Sequence, residues 1–359
     1  MNSLSNENNE IPEYDIEISR TENGDKVING YIVREILGRG AFSKVKLVEK
    51  NGVEYAMKKI NKNLLQRKKK GFSKGNNGKV QINSLLDNAL REIAILKKLN
   101  HENIVKLHEI IHDDEKGKIY LILDYCSKGS LMTYDILTQE FVVNDGVTLT
   151  KYYSEEQIKD FIREIVLGLD YLHLHGIIHR DIKPDNVLLD ENNNCKITDF
   201  NVSAMLENID NDHIGKKTEG TDFFMAPECC TYQVGNIRGK PLDVWALGIT
   251  AYVLAYNELP FKPENEDSTI ELMDLIARKN FVFPDHKREM SNEFKAFIKR
   301  CLEKEPNMRI TLDEIKNSDW LNTKRKSLML IKKPAKVEIN DIDMRCSQRF
   351  FISRGMMKI

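Results

Sequence analysis

The stretch HRDIKPDN, residues 179–186, carries three polar side chains at a spacing that suits transfer of a phosphoryl group. Asp181 can orient a hydroxyl and accept its proton, Lys183 two residues on can screen charge on the moving group, and Asn186 can offer an oxygen to Mg²⁺. A second acid, Asp199 in KITDFNVSAML, follows in a mostly apolar setting and is a further candidate metal ligand. Upstream, LGRGAFSKVKL sets Gly38 and Gly40 in a turn, where missing side chains let backbone N–H groups approach phosphate oxygens. YAMK then ends at Lys58, and Glu92 lies in the helical pattern beyond: a lysine to reach phosphates and a glutamate to hold it.

Each piece alone has an ordinary explanation. A glycine-containing hairpin is usually only a turn, and a lone lysine or glutamate usually sits on a solvated face. What needs explaining is their joint occurrence, in this order, in one chain.

The elements that must position these residues are legible from periodicity. YIVREILGRG, FSKVKLVEK and GVEYAMKKI show apolar residues near period two, with Asn51-Gly52 as a hairpin signal, and predict antiparallel strands. NLLQRKKKGFSKGNNGKVQINS reads as a basic loop, after which LLDNALREIAILKKL returns to helical spacing. NIVKLHEIIHD and KIYLILDYC predict two more strands, the second apolar enough to be central. From Ser154 the texture is mainly helical: Ser154 and Gln157 stand at capping-box spacing, and Ile158, Phe161, Ile162, Ile165, Val166 and Leu169 line one face. PLDVWALGITAYVLAY and SNEFKAFIKRCL continue it. Strands with one helix followed by helices, without internal repeat, predict two unequal lobes of an α+β protein.

Taken together, these residues resemble a eukaryotic protein kinase from about Tyr31 to Leu321. Gly38 to Val45, Lys58, Glu92, His179-Arg180-Asp181, Asn186, Asp199-Phe200 and Ala226-Pro227-Glu228 stand in the order of the kinase signature set. The resemblance implies a bilobal fold: a small antiparallel-sheet N-lobe with one main helix over 28–123, an insert at about 61–84, and a larger helical C-lobe over 124–322. It implies ATP and Mg²⁺, with Asp181, Lys183, Lys58 and Glu92 as catalytic residues and Asn186 and Asp199 as metal ligands. Leu37, Val45, Ala56, Leu123 and Leu188 should sandwich adenine, with Leu123 as gatekeeper and Asp124 to Cys126 as hinge. Asp243 and Trp245 resemble the buried helix beneath the catalytic loop, Arg309 resembles the partner of Glu228, and Lys183-Pro184 with Thr221 resemble the Ser/Thr branch.

Two positions depart from the pattern. Ser43 replaces the third glycine of the phosphate loop, and Asn201 replaces the glycine after Asp199-Phe200. Because Asn tolerates positive φ better than most residues, the backbone is expected to present Asp199 all the same. Retention of Lys58, Asp181 and Asp199 favours an active enzyme over a silent kinase-like scaffold. The insert between Lys58 and Glu92, with REIAILKKLNHENIVKL after it, resembles the calcium/calmodulin-dependent protein kinase kinases, which implies an upstream kinase acting on activation loops of other kinases. In that group the insert is rich in Arg and Pro; here it is rich in Lys, Gly and Asn. By the same likeness Thr218 is the candidate phosphosite. The basic, apolar segments KRKSLMLIKK and MRCSQRFFISRGMMKI, within a tail over 323–359, are candidate calmodulin-binding or autoinhibitory segments.

Composition bounds the rest. The chain has 359 residues, 41% hydrophobic and 30% charged, enough for one large or two medium cores. A net charge of −1 gives no overall pull toward nucleic acid or membrane, so neither is expected as a partner; the expected partner is a protein substrate. Six cysteines without C-x-x-C or zinc spacing suit reduced thiols in the cytoplasm or nucleus. Residues 1–27, rich in Asn, Glu and Ser, are expected to form a disordered tail.

Overall fold

The computed structural model describes residues 10–40, 42–67, 69–74, 80–135, 140–143, 152–206, 212–214, 220–231, 237–265 and 268–322. They divide into two compact units, one holding the described residues up to 100 and 105–125, the other 101–104 and those from 126 onward. The first is a sheet unit, the second mainly helical, which is the bilobal division expected.

In the sheet unit, β1 (Glu13–Asp15), β2 (Ile18–Arg20), β3 (Lys26–Ile28), β4 (Tyr31–Arg39), β5 (Ser43–Lys50) and β6 (Val53–Asn61) precede α1 (Lys62–Arg67). A hairpin of β7 (Lys69–Lys74) and β8 (Val80–Ser84), then α2 (Leu85–Leu96), β9 (Leu107–Asp113) and β10 (Lys118–Asp124), complete it. Eight strands form one sheet in the order β1-β9-β10-β6-β5-β4-β3-β2, antiparallel except for β1 beside β9. The β5–β6 turn is the Asn51-Gly52 hairpin, both residues with positive φ (55° and 76°), the backbone such a two-residue turn demands.

One expectation fails here. The polar N-terminal segment is strand from Glu13 onward, because its few apolar residues and one acid find tertiary partners. Ile28 enters a cluster with Tyr31, Val48, Met57, Ile111, Tyr120 and Ile122, and Ile16 packs against it. Glu13 on β1 is bonded by Lys97 and by His112 (2.9 Å). The insert also departs from a plain loop, since its described parts supply α1 and the β7–β8 hairpin.

In the helical unit, β11 (Gly129–Ser130) and the hairpin of β12 (Met132–Asp135) and β13 (Glu140–Val143) lead to α3 (Glu155–Leu174). β14 (Ile177–Ile178), β15 (Val187–Leu189), β16 (Cys195–Ile197) and β17 (Ala204–Met205) follow, then α4 (Gly239–Tyr256), α5 (Thr269–Arg278), α6 (Asn292–Cys301), α7 (Leu312–Lys316) and α8 (Asp319–Asn322). α3 begins with the Ser154/Gln157 capping box, and its six predicted apolar residues are all buried. α4 is buried on every side, so it cannot show an amphipathic stripe; it forms the centre of this core.

Candidate active site

Sheet register fixes which residues share a face. Gly38 is opposite Val45, Val45 opposite Lys58, Lys58 opposite Leu121, and Ala56 opposite Leu123. Gly38, Val45, Ala56, Lys58 and Leu123 therefore lie on one face, as the adenine and phosphate assignments require. Lys58 Nζ donates to Glu92 Oε1 of α2 at 2.6 Å, with only 15% and 3% of the two side chains exposed. A pair this buried is costly to break, because either partner alone would be an uncompensated charge. In the β4–β5 turn the Gly40 N–H donates to Ser43 O (3.0 Å), and a Cβ added at Gly38 would meet no atom of the described residues within 4 Å. Leu37, Gly40 and Asp124 also belong to the sheet unit, whereas Cys126 and Leu188 belong to the helical unit. Asp124 is tied to His108 Nε2 of β9 (2.7 Å) and to the Lys106 N–H just before that strand (3.1 Å).

The loop after α3 is built on a fully buried acid. Asp243 of α4 accepts the His179 N–H (2.9 Å), the Arg180 N–H (2.7 Å) and His173 Nε2 (2.8 Å). Burial by itself would raise its pKa, but these hydrogen bonds and the neighbouring imidazoles hold it below the usual carboxylate range. Two consecutive backbone donors fixed on one carboxylate hold Arg180 at φ 67° and set the direction of Asp181. The Asp181 carboxylate then gathers its neighbours: Oδ1 accepts the Thr221 N–H (2.9 Å) and hydroxyl (2.7 Å), and Oδ2 faces Lys183 Nζ (2.9 Å) and Asn186 Nδ2 (2.8 Å). Lys183 Nζ also donates to Thr221 Oγ1 at 2.5 Å. Burial works against ionisation, yet the Lys183 charge and hydrogen bonds from Lys183 and Thr221 outweigh it and keep Asp181 ionised below its ordinary range. Gly220 makes this approach feasible, because its φ is +126° and a Cβ there would lie 2.5 Å from the Arg180 carbonyl oxygen.

Asn186 spends its amide nitrogen on Asp181, on both the carboxylate and the carbonyl oxygen (2.8 Å each), which turns its own amide oxygen the other way. The Thr198 N–H donates to the Asn186 carbonyl (3.0 Å), tying the segment of Asp199 to that of Asn186. An amide and a carboxylate oxygen are the hard donors Mg²⁺ takes, with water and phosphate completing the shell, so the residues fit that ion. Among the described residues no cluster of three His, Cys, Asp or Glu offers an alternative metal site.

The chain matches the protein kinase domain over residues 31–321. It belongs to the protein kinase family. It is 32% identical over 328 residues to the serine/threonine-protein kinase ppk34 of Schizosaccharomyces pombe, covering 86% of this chain and 87% of that one. It is 38% identical over 304 residues to ssp1 of the same yeast, another serine/threonine-protein kinase (83% and 43%). A Dictyostelium discoideum protein named "probable serine/threonine-protein kinase" is 36% identical over 303 residues (84% and 39%). The chain thus spans less than half the length of two of these relatives. The serine/threonine class expected from Lys183-Pro184 and Thr221 agrees with the names the relatives bear.

Within this kinase, position 201 behaves differently from expectation. The left-handed residue of the turn is Asp199 itself (φ 66°), a conformation Asp tolerates; Asn201 does not have positive φ, so it carries no backbone penalty. Its side-chain amide instead donates to Asp199 Oδ1. A glycine could not make this contact, and neither the residue types nor their spacing announced it. Phe200 is buried beside the His179 ring (centroids 5.1 Å apart), and His179 Nε2 bonds the Thr198 carbonyl (3.0 Å), so the residues flanking Asp199 are held on both sides.

Sequence reasoning also missed the bond between Thr221 and Asp181, which joins positions 40 residues apart, and an apolar-walled recess of about 440 Å³ beside the loop of Asp181. Tyr134, Phe141, Phe223 and Leu259 line it together with Lys183 and Asp185. The Glu228–Arg309 pair is present as expected and is two-pronged (2.8 and 2.9 Å), with the guanidinium over the Trp245 ring at 5.1 Å. Thr218 and the segments after residue 322 lie outside the described residues.

Proposed function

We propose that this kinase transfers the γ-phosphoryl group of ATP to serine or threonine hydroxyls of protein substrates, with Mg²⁺ as the required ion. Asp181 orients the acceptor hydroxyl and takes its proton. Lys183, in contact with both Asp181 and Thr221, screens the charge that builds on the transferred group. Lys58, held by Glu92, meets the nucleotide phosphates, and Leu37, Val45, Ala56, Leu123 and Leu188 supply apolar surface for the base. Asn186 and Asp199 would hold Mg²⁺, which when bound neutralises phosphate charge. The observation that carries the reading is the hydrogen-bonded group of Asp181, Lys183, Asn186 and Thr221, in which each side chain's donor or acceptor is aimed at another member. The recess beside it, walled by Tyr134, Phe141 and Phe223, favours acceptors flanked by bulky apolar side chains.

The finer reading is that its substrates are other kinases, phosphorylated on their activation loops. It rests on the insert between Lys58 and Glu92 and on the likeness to the calcium/calmodulin-dependent protein kinase kinases. Calmodulin binding by the C-terminal basic segments, a Thr218 switch and a cytoplasmic or nuclear location belong to the same proposal. The test is incorporation of labelled phosphate into a panel of inactive kinases, with sites mapped by mass spectrometry. Wild type should label activation loops and Asp181→Asn should fall to background. Equal background from both removes the enzymatic reading, while labelling of generic substrates only removes the kinase-kinase one.

A further inference from the structure

The face of the sheet opposite Lys58 carries a charge cluster that phosphoryl transfer does not use. The β5–β6–β10 register places Lys44 opposite Lys59, Lys59 opposite Tyr120, and Lys46 opposite Met57, so all five residues share this face. Lys118, two residues before Tyr120, joins them, and Lys26 of β3 completes the rim of a cavity of about 230 Å³ floored by Met57 and Tyr120. Among the described residues, five lysines and no carboxylate line it. None of the five makes an ion pair with a described residue, although Lys44, Lys46, Lys59 and Lys118 are each half-buried. The nearest acid in register, Asp113 opposite Lys118, accepts the Lys116 N–H (3.1 Å) instead.

The same face provides its own comparison. At its other end Lys50 is matched by Glu109 at 3.3 Å and lies over the Tyr31 ring at 4.3 Å. Gathering like charges on one face with no described carboxylate among them costs free energy. Burial, and then repulsion from neighbouring lysines, pull the Lys26 and Lys59 ammonium groups below the usual lysine range. In a chain of net charge −1 such a concentration is local, not a reflection of composition.

We propose that this cavity binds a compact anion bearing several phosphate groups. Lysine ammonium groups are mobile point charges with three donors each, suited to phosphate oxygens, and five around one small cavity match several phosphates on a compact frame. The cavity is too small for a helix or strand of a partner, and the Tyr120 ring and Met57 give the frame an apolar floor. The site is distinct from the face that carries Lys58.

The test is calorimetric titration of the full chain with inositol hexakisphosphate in the presence of saturating ATP, which keeps the probe off the nucleotide site. Wild type should bind one equivalent, Lys46→Gln/Lys59→Gln should weaken binding at least about tenfold, and Lys50→Gln should leave it unchanged. Far-UV circular dichroism of each variant excludes misfolding as the cause of a loss. Binding equal in wild type and the double variant, or binding lost equally in Lys50→Gln, overturns the proposal, as does equal affinity for a polyglutamate peptide, which would mark a surface that reads charge alone. Sedimentation with phosphatidylcholine vesicles, with and without phosphatidylinositol bisphosphate, distinguishes the source: co-sedimentation dependent on Lys46 and Lys59 identifies a lipid headgroup, and its absence alongside inositol hexakisphosphate binding identifies a soluble phosphate ester.

Discussion

At the scale of single residues, the most consequential feature is the Asn201 amide on Asp199. A carboxylate beside a turn has several rotamers, and only some aim an oxygen at an ion; a side-chain donor two residues away selects among them. Asn201→Ala should therefore raise the Mg²⁺ concentration for half-maximal activity about three- to tenfold, with a smaller change in maximal rate. A magnesium activation curve at saturating ATP measures this, and an unchanged curve would show that Asp199 needs no such help. Asp181 gives a second prediction. Burial raises its pKa and Lys183 overrides that effect, so replacing Lys183 by Met leaves burial the larger influence. The acid limb of the kcat/KM profile should then move to higher pH, along with a loss of rate. A limb that stays in place would mean that Thr221 and Asn186 suffice to hold the charge.

At the scale of elements, β1 illustrates how a polar segment is recruited into a sheet. It pairs with β9 at the sheet edge and is fastened by Glu13, whose bonds from His112 and Lys97 overcome burial and bring its pKa down to about 2. A folded value below the unfolded one, about 4.3 for Glu, means a contribution to stability fully present above the unfolded value and lost as pH falls toward 2. Melting of Glu13→Gln against wild type should show a deficit near neutral pH that shrinks steadily between about pH 4.3 and 2. A deficit independent of pH would assign the strand's anchoring to backbone pairing and Ile16 instead. The buried Asp243 acts by the same logic within the helical unit, where α4 holds the loop of Asp181 from beneath.

At the scale of the whole molecule, the insert between Lys58 and Glu92 has the widest reach. Deleting residues 66–79 removes basic sequence without touching Lys58 or Glu92. If the insert docks substrate kinases, phosphorylation of a whole kinase should fall several-fold more than phosphorylation of a short peptide with the same acceptor. Equal effects on both would reduce the insert to a solvated extension.

How much of this was legible beforehand depended on the range of the interactions. Hairpins, the capping box of α3, the stripe of α3 and the ordered set Lys58, Glu92, Asp181, Asn186 and Asp199 are written in neighbouring residues, because turn chemistry, helical period and motif spacing act within a few positions. The family followed from that order alone. Tertiary structure decided what those positions cannot encode: that a polar N-terminal segment becomes strand, that Thr221 reaches Asp181 across 40 residues, that Asn201 turns its amide onto Asp199, and that four lysines of three strands fall on one face with Lys26. The physical reason is that strand order, register and side-chain direction arise from contacts between segments far apart in the chain, and a linear pattern specifies which residues are available without specifying which will meet.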